Sequence, residues 1–138
     1  MIIAVFLLVL AGLFGYIRFA PSDVARWHIE PTSSALWPQA APPDDVQAQI
    51  GSATLYLPDV SLAQVDAVAM ATPRTTRLAG GVDEGRITWI TRSALWGFPD
   101  YITAQAGPDG VRILGRLRFG KSDMGVNAAR LREWQSKL

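Results

Sequence analysis

The stretch DYITAQAGPDGVRILGRLR, Asp100 to Arg118, decides the fold. Gly107-Pro108-Asp109-Gly110 is a concentrated turn signal between two runs rich in Ile, Thr, Val and Tyr, residues that suit a pleated surface. The pattern predicts strands over Asp100–Ala106 and Val111–Arg118, joined as an antiparallel hairpin. Along the second strand and just beyond it, alternation sends Val111, Ile113, Leu117 and Phe119 to one face. Arg112, Leu114, Arg116 and Arg118 go to the other.

Outward from the hairpin, Arg86–Ser93 reads as a strand that ends before the break at Gly97-Phe98-Pro99. Thr75–Ala79 and a turn over Gly80–Gly85 precede it, and Ser52–Leu57 is a further short strand stopped by Pro58. Between these lies a helix, Leu62–Ala71. It has a capping box of Ser61 and Gln64, a staple from Val60 to Val65, and a stop at Pro73. At the other end, Val126 and Asn127 are predicted as staple and N-cap of a helix over Ala128–Lys137, with Leu131 at the stapling position. Strand, helix, four strands, helix, with short connections late in the order, predicts an α+β fold. It is a small antiparallel sheet of about four or five strands with two helices on one face.

The N-terminus is different. Met1 to Ile17 carries no charged side chain. At about 1.5 Å per residue it reaches about 26 Å, enough for a single-pass transmembrane helix whose edge carries Tyr16 and Phe19. A cleaved secretory signal is the rival reading, but no Lys or Arg precedes the apolar run, no small-x-small site follows it, and Pro21 would hinder a peptidase. Five of the nine prolines then fall between Pro21 and Pro43, which excludes a regular helix or central strand there. The predicted organisation is an anchor over 1–19, a Pro-rich juxtamembrane linker over 20–50 and a small α+β domain over 51–138. Trp27 and Trp37 in the linker suit either the lipid headgroups or the body of the domain.

Composition narrows the chemistry. The chain has 138 residues and a net charge of +1, which leaves room for one domain and speaks against a nucleic-acid partner. With no cysteine and one histidine, thiolate zinc sites, iron–sulfur clusters and histidine metal clusters are excluded, so no metal or cofactor is expected. Charge is split. Residues 21–85 hold three cations and eight anions, whereas residues 86–138 hold nine cations and four anions. The halves either neutralise each other or leave a basic face for an anionic ligand or lipid.

Gly115 to Ser122 satisfies the string G-x-x-x-x-G-K-[ST], yet only 16 residues follow Ser122 and no parallel strand can supply a magnesium-binding acid, so a P-loop is rejected. Arg86, Thr88, Ile90 and Arg92 share a face of their strand, and together with Arg116 and Arg118 they outline a guanidinium patch. Arg92, Arg116 and Arg118 are the candidate anion site, because planar forks suit oxyanions. The plainer reading pairs each Arg with Asp100, Asp123 or another acid. His28 reads as a surface or packing residue, and neither Ser93 nor Ser122 has an evident base, so no catalytic residue is assigned.

Arg92-Ser93 with Gly97-Phe98-Pro99-Asp100, then Arg116-x-Arg118-Phe119-Gly120-x-Ser122-Asp123-x-Gly125-Val126-Asn127, and Arg130, together resemble a bacterial and plastid family called domain of unknown function 1499. The resemblance runs from about Tyr56 to Leu138. Leu117, Lys121, Ala128 and Tyr101 depart from its pattern and thin the polar constellation. On the same residues, Ser93, Asp100, Ser122, Asp123, Asn127 and Arg130 read as a structural polar corner where strand meets helix.

The expectation is a membrane-anchored envelope domain that acts as a binding or structural module. Lipid is the partner of its helix, and an anionic ligand or a protein partner is met elsewhere, the latter through Trp96 and Phe98. The alternative is a hydrolase or transferase of an anionic envelope substrate through an Arg/Asp site. Arg18 and Arg26 alone would place the domain in the cytoplasm. The lumenal setting implied by plastid members instead places it on the periplasmic side of a bacterial inner membrane.

Overall fold

A computed structural model describes residues 1–138. Helix α1, Ile2–Phe19, carries the apolar run and is long and apolar enough to cross a membrane. A short helix α2, Val24–Trp27, and one 3-10 turn, Pro31–Ser33, follow. The α+β body consists of β1 (Gln47–Ala48), β2 (Ser52–Leu57), α3 (Leu62–Ala71), β3 (Thr75–Gly81), β4 (Arg86–Arg92), β5 (Pro99–Gly107), β6 (Gly110–Leu117) and α4 (Val126–Gln135).

The sheet has six strands in the order β1-β2-β6-β5-β4-β3, and every neighbouring pair is antiparallel. The sixth strand, beyond the four or five expected, is the two-residue β1. It lies in a Pro-rich stretch with no alternation long enough to read. Helix α3 carries the chain from β2 to the far edge. The meander β3-β4-β5-β6 then returns until β6 pairs with β2.

Both helices cover one face. Leu55, Leu57, Ile87, Trp89, Ile102, Val111 and Ile113 of the sheet pack with Leu62, Val65, Ala69, Leu131 and Trp134 in a single core. Within it Trp89 and Trp134 meet edge to face, with ring centres 5.6 Å apart. Helix α3 begins with the capping box of Ser61 and Gln64, as predicted. Its buried Asp66 ties it to the sheet by accepting from Trp89 Nε1 at 3.1 Å and from the Arg77 guanidinium.

Helix α4 starts two residues earlier than predicted, and Asn127 is not its cap. Gly125, at φ +78°, opens the helix, while Asp123 accepts from the backbone N–H groups of Gly125 (2.9 Å) and Asn127 (3.1 Å). A carboxylate four residues before Asn127 does the capping and releases Asn127 for other work. Val126, predicted as a staple, is consequently exposed.

The opposite face of the sheet is polar, and the segment after α1 covers it as a strap. Trp27, only 6% exposed, lies flat on Tyr101 with ring centres 3.9 Å apart and planes 6° from parallel. The two readings of Trp27 thus resolve toward the body. A chain of hydroxyls fixes the strap beneath that stack. Thr103 Oγ1 donates to the Trp27 carbonyl at 3.1 Å, and Thr88 is 2.8 Å from Thr103 and 2.9 Å from His28 Nδ1. Each hydroxyl has one proton to give, so Thr88 donates to Thr103 and His28 donates from Nδ1. Burial holds His28 below its ordinary pKa, which favours the neutral ring.

Trp27→Ala removes the stacked ring and opens a cavity over Tyr101. We expect it to destabilise the full-length protein in detergent by about 3–5 kcal/mol in urea titrations followed by circular dichroism. A loss below about 1 kcal/mol would mean that the strap is not part of the folded unit.

Candidate functional site

The loop from Leu117 to α4 reverses the chain through three residues of positive φ, Gly120 (+91°), Met124 (+52°) and Gly125 (+78°). Ser122 Oγ accepts from the Met124 N–H at 3.1 Å, and Asp123 N–H donates to the Ile50 carbonyl at 3.1 Å, which pins the loop to the chain ahead of β2.

From this loop a line of polar contacts runs into the fold. Asn127 Nδ2 donates to Asp123 Oδ2 at 2.9 Å. Arg130 Nη1 donates to Asn127 Oδ1 at 3.0 Å and to Asp100 Oδ2 at 3.2 Å. Asn127 is fully buried against β6. A Cβ at Gly115 would come within 2.7 Å of its Oδ1, so only glycine fits beneath it. The side chains of Asp100 and Arg130 are 14% and 12% exposed. Burial raises the Asp100 pKa above its ordinary value, and the Arg130 guanidinium offsets part of that rise.

Beside this line lies a cavity of about 720 Å³. Asp100, Arg130, Ser122, Asp123, Ser93 and Arg92 line its polar side, and Phe98, Leu117, Phe119, Met124 and Val126 its apolar side. Six of the nine singled-out residues therefore meet around one amphipathic space. Asn127 supports it from within the fold. Ser93 shapes its rim, since Ser93 Oγ accepts from the Phe98 N–H at 2.9 Å and closes the 93–98 loop.

The arginines divide differently from the expected patch. Neither Arg92, Arg116 nor Arg118 pairs with an acid. Each instead donates to backbone carbonyls of the segment that leaves α1 or of the neighbouring loop. Arg92 Nη1 reaches Gly97 O at 3.0 Å and Ile17 O at 3.4 Å, Arg118 Nη1 reaches Pro21 O and the Tyr101 hydroxyl at 3.0 Å each, and Arg116 Nη2 reaches the Trp27 carbonyl. Burial, with Arg18 and Arg118 close by, draws Arg92 below its ordinary pKa. Arg116 is a special case, because Nη1 is buried without a partner. A second cavity, of about 640 Å³, lies at this place between strap and sheet, lined by Arg116, Arg26 and Lys121 with Trp27, Leu36 and Ile50. Arg26 and Lys121 were not singled out by the sequence. No spacing rule joins a strap residue to a loop residue 95 positions away.

The end of α1 docks onto the same region. Phe14 meets Trp96 with ring centres 6.1 Å apart, Tyr16 meets Phe119 at 5.9 Å, and Ile17 is buried. Phe98 meets Phe119 at 6.4 Å, so the apolar rim of the first cavity adjoins the apolar helix. No group of three or more His, Asp or Glu side chains gathers to hold a metal ion.

An antiparallel sheet with two helices on one face, a strap on the other and a polar loop-to-helix corner defines a class of small α+β domain. The family described as protein of unknown function (DUF1499) matches residues 28–138, and this chain belongs to it. No curated protein and no solved structure is detectably similar.

Asp100 makes the corner sensitive to pH. With its folded pKa above the ordinary 3.8, the folded protein keeps a proton that the unfolded chain releases. Its contribution is therefore complete below that value and is lost as pH rises through the folded pKa. The stability of wild type minus Asp100→Asn should thus fall across this window and be flat on either side, read from urea titrations at stepped pH. A rise instead would show that Arg130 outweighs burial.

Proposed function

We propose that this protein is a membrane-anchored binding module that holds its motif-lined cavity at the bilayer surface and takes an amphipathic ligand there. The contact of Phe14 with Trp96 carries the reading. Phe14 lies five residues before the end of α1, about 7 Å back along the helix. A ring packed against it lies at or just inside the hydrocarbon boundary whenever α1 spans the bilayer. Leu95 (77% exposed) and Met124 (91% exposed) are the most open apolar side chains of the body, and they belong to the two loops beside the helix end. Such tips are costly in water and favourable among lipid headgroups, where Trp96 also belongs. The burial of Ile17 and the hydrogen bond to its carbonyl favour a retained helix over a cleaved signal.

The cavity suits a ligand with two ends. An acyl-like chain fits against Phe98, Phe119 and Met124, and a polar head meets Ser122, Arg130 and Asp123. Binding is preferred over the hydrolase or transferase alternative because the carboxylates are engaged. Asp123 accepts three N–H groups, Asp100 holds Arg130, and Glu133, the third carboxylate of the lining, is exposed and paired with Lys137, so none is buried and held ready as a general base.

The cysteine-free chain accepts unique labels. A bimane at Leu95→Cys should be strongly quenched by doxyl-labelled lipids in phosphatidylcholine nanodiscs, and one at Glu84→Cys, in the turn at the other end of β4, should not. Photoactivatable phospholipid should cross-link to the cavity lining of wild type and not to folded Ala129→Trp, whose ring fills the space. Equal quenching at both labels, or cross-linking unchanged in Ala129→Trp, rejects the reading.

We further place the domain on the periplasmic side of a bacterial inner membrane, a setting in which a chain without thiols folds without redox chemistry. Alkaline phosphatase fused after Leu138 should then be active in bacterial cells. An inactive, stable fusion would put the domain in the cytoplasm.

A further inference from the structure

The second cavity holds a charge with nothing to balance it. Arg116 is 5% exposed, and none of its hydrogen bonds goes to a carboxylate. Its Nη2 is bonded to a neutral carbonyl and its Nη1 has no partner at all. A buried guanidinium in that state is expensive, and native folds normally pair it. Burial, together with the nearby charge of Arg26, pushes Arg116 down to about 10. Arg26 and Arg116 lie over the same indole, 4.7 Å and 5.2 Å from the centre of the Trp27 ring, so two positive charges are held close together. Lys121 adds a third at the cavity wall, and no acidic side chain lines the space.

We propose that this cavity is a binding site for a phosphate monoester that carries an apolar body. Three cations without an acid match a group of charge about −1.5 to −2 better than a single carboxylate. Arg116 supplies fixed charge from below, while Arg26 and Lys121, both exposed, close over the oxygens. Trp27, Leu36 and Ile50 offer the apolar surface that a bare inorganic ion would leave unused. The site is separate from the amphipathic cavity across the sheet and does not depend on what that cavity binds. The phosphate can belong to a soluble ester or to a lipid headgroup, since the strap that forms the cavity is the segment leaving the apolar helix.

The test uses the full-length protein in nonionic detergent, with thermal unfolding followed at constant ionic strength. Phenyl phosphate represents the soluble source. Phosphatidic acid with a doxyl-labelled chain in phosphatidylcholine nanodiscs, read by quenching of tryptophan fluorescence, represents the lipid source. Phenyl phosphate should raise Tm above a chloride control, or the labelled phosphatidic acid should quench above an equal content of doxyl-labelled phosphatidylcholine, and whichever probe acts identifies the source. Arg26→Gln with Lys121→Gln alters only exposed side chains and should weaken that binding by about tenfold or more while the protein stays folded. Arg116→Lys, checked for folding by circular dichroism, should weaken it further. No response to either probe beyond its control overturns the proposal, as does unchanged affinity in the folded double variant.

Discussion

The Trp27 carbonyl, buried between strap and sheet, accepts from both Thr103 and Arg116, and the arrangement of the outer face depends on it. That face presents Ser52, Thr54, Thr88, Thr103 and Arg116, a surface that would ordinarily face water. Covering it with a strap commits the fold to satisfying those groups internally, because each one left unpaired costs about 1–3 kcal/mol. The strap meets part of that demand with its backbone rather than with acids, and leaves Thr54 Oγ1 and Arg116 Nη1 without partners. Carbonyls of Ile17, Pro21 and Trp27 receive the three arginines, and the Trp27 ring contributes the apolar contact that makes the cover adhere. Each of those bonds is charge-assisted on one side and spares the protein a second buried charge.

This choice explains what the sequence made legible and what it hid. Strands, hairpin and α3 follow from alternation, turn residues and a capping box, all local signals, and they stand where the pattern puts them. The strap has no period and is broken by proline, so neither its burial nor the short β1 within it leaves a mark. Acids were the natural partners to expect for arginines, yet carbonyls of a proline-rich segment offer no sequence pattern to recognise. Asn127 illustrates the limit at the other corner. An Asn before an apolar run is a standard cap, but a carboxylate four residues earlier, aided by Gly125 in the left-handed region, competes for the same N–H groups and prevails. Gly115 was the available hint, a glycine in the middle of a good strand, which marks close approach by something larger.

Ser93, Asp100, Ser122, Asp123 and Arg130, read together as a corner, come near one another because they lie on or beside the short connections of elements whose order was readable, whereas Arg92, which the sequence grouped with Arg116 and Arg118, joins them at the end of β4. The second cavity was not legible, because it needs the strap in place before Arg26 comes near Arg116.

The two cavities share one wall. Leu117, at the end of β6, lines both, and the chain beyond it turns through Phe119 against Tyr16 of the apolar helix before it returns to Asp123 and Asn127. Movement of the helix end therefore reaches both spaces through the same few residues. Pulling Ile17 or Pro21 away would release Arg92 and Arg118, whose charges border the sheet end next to the first cavity, and would loosen Trp27 over the second. Carbonyl bonds of this kind exchange for water at modest cost, unlike a buried ion pair, whose separation strands a charge on each side. A domain held to its helix by backbone acceptors thus stays firmly seated while the Asp100–Arg130 ion pair remains inside the rigid corner.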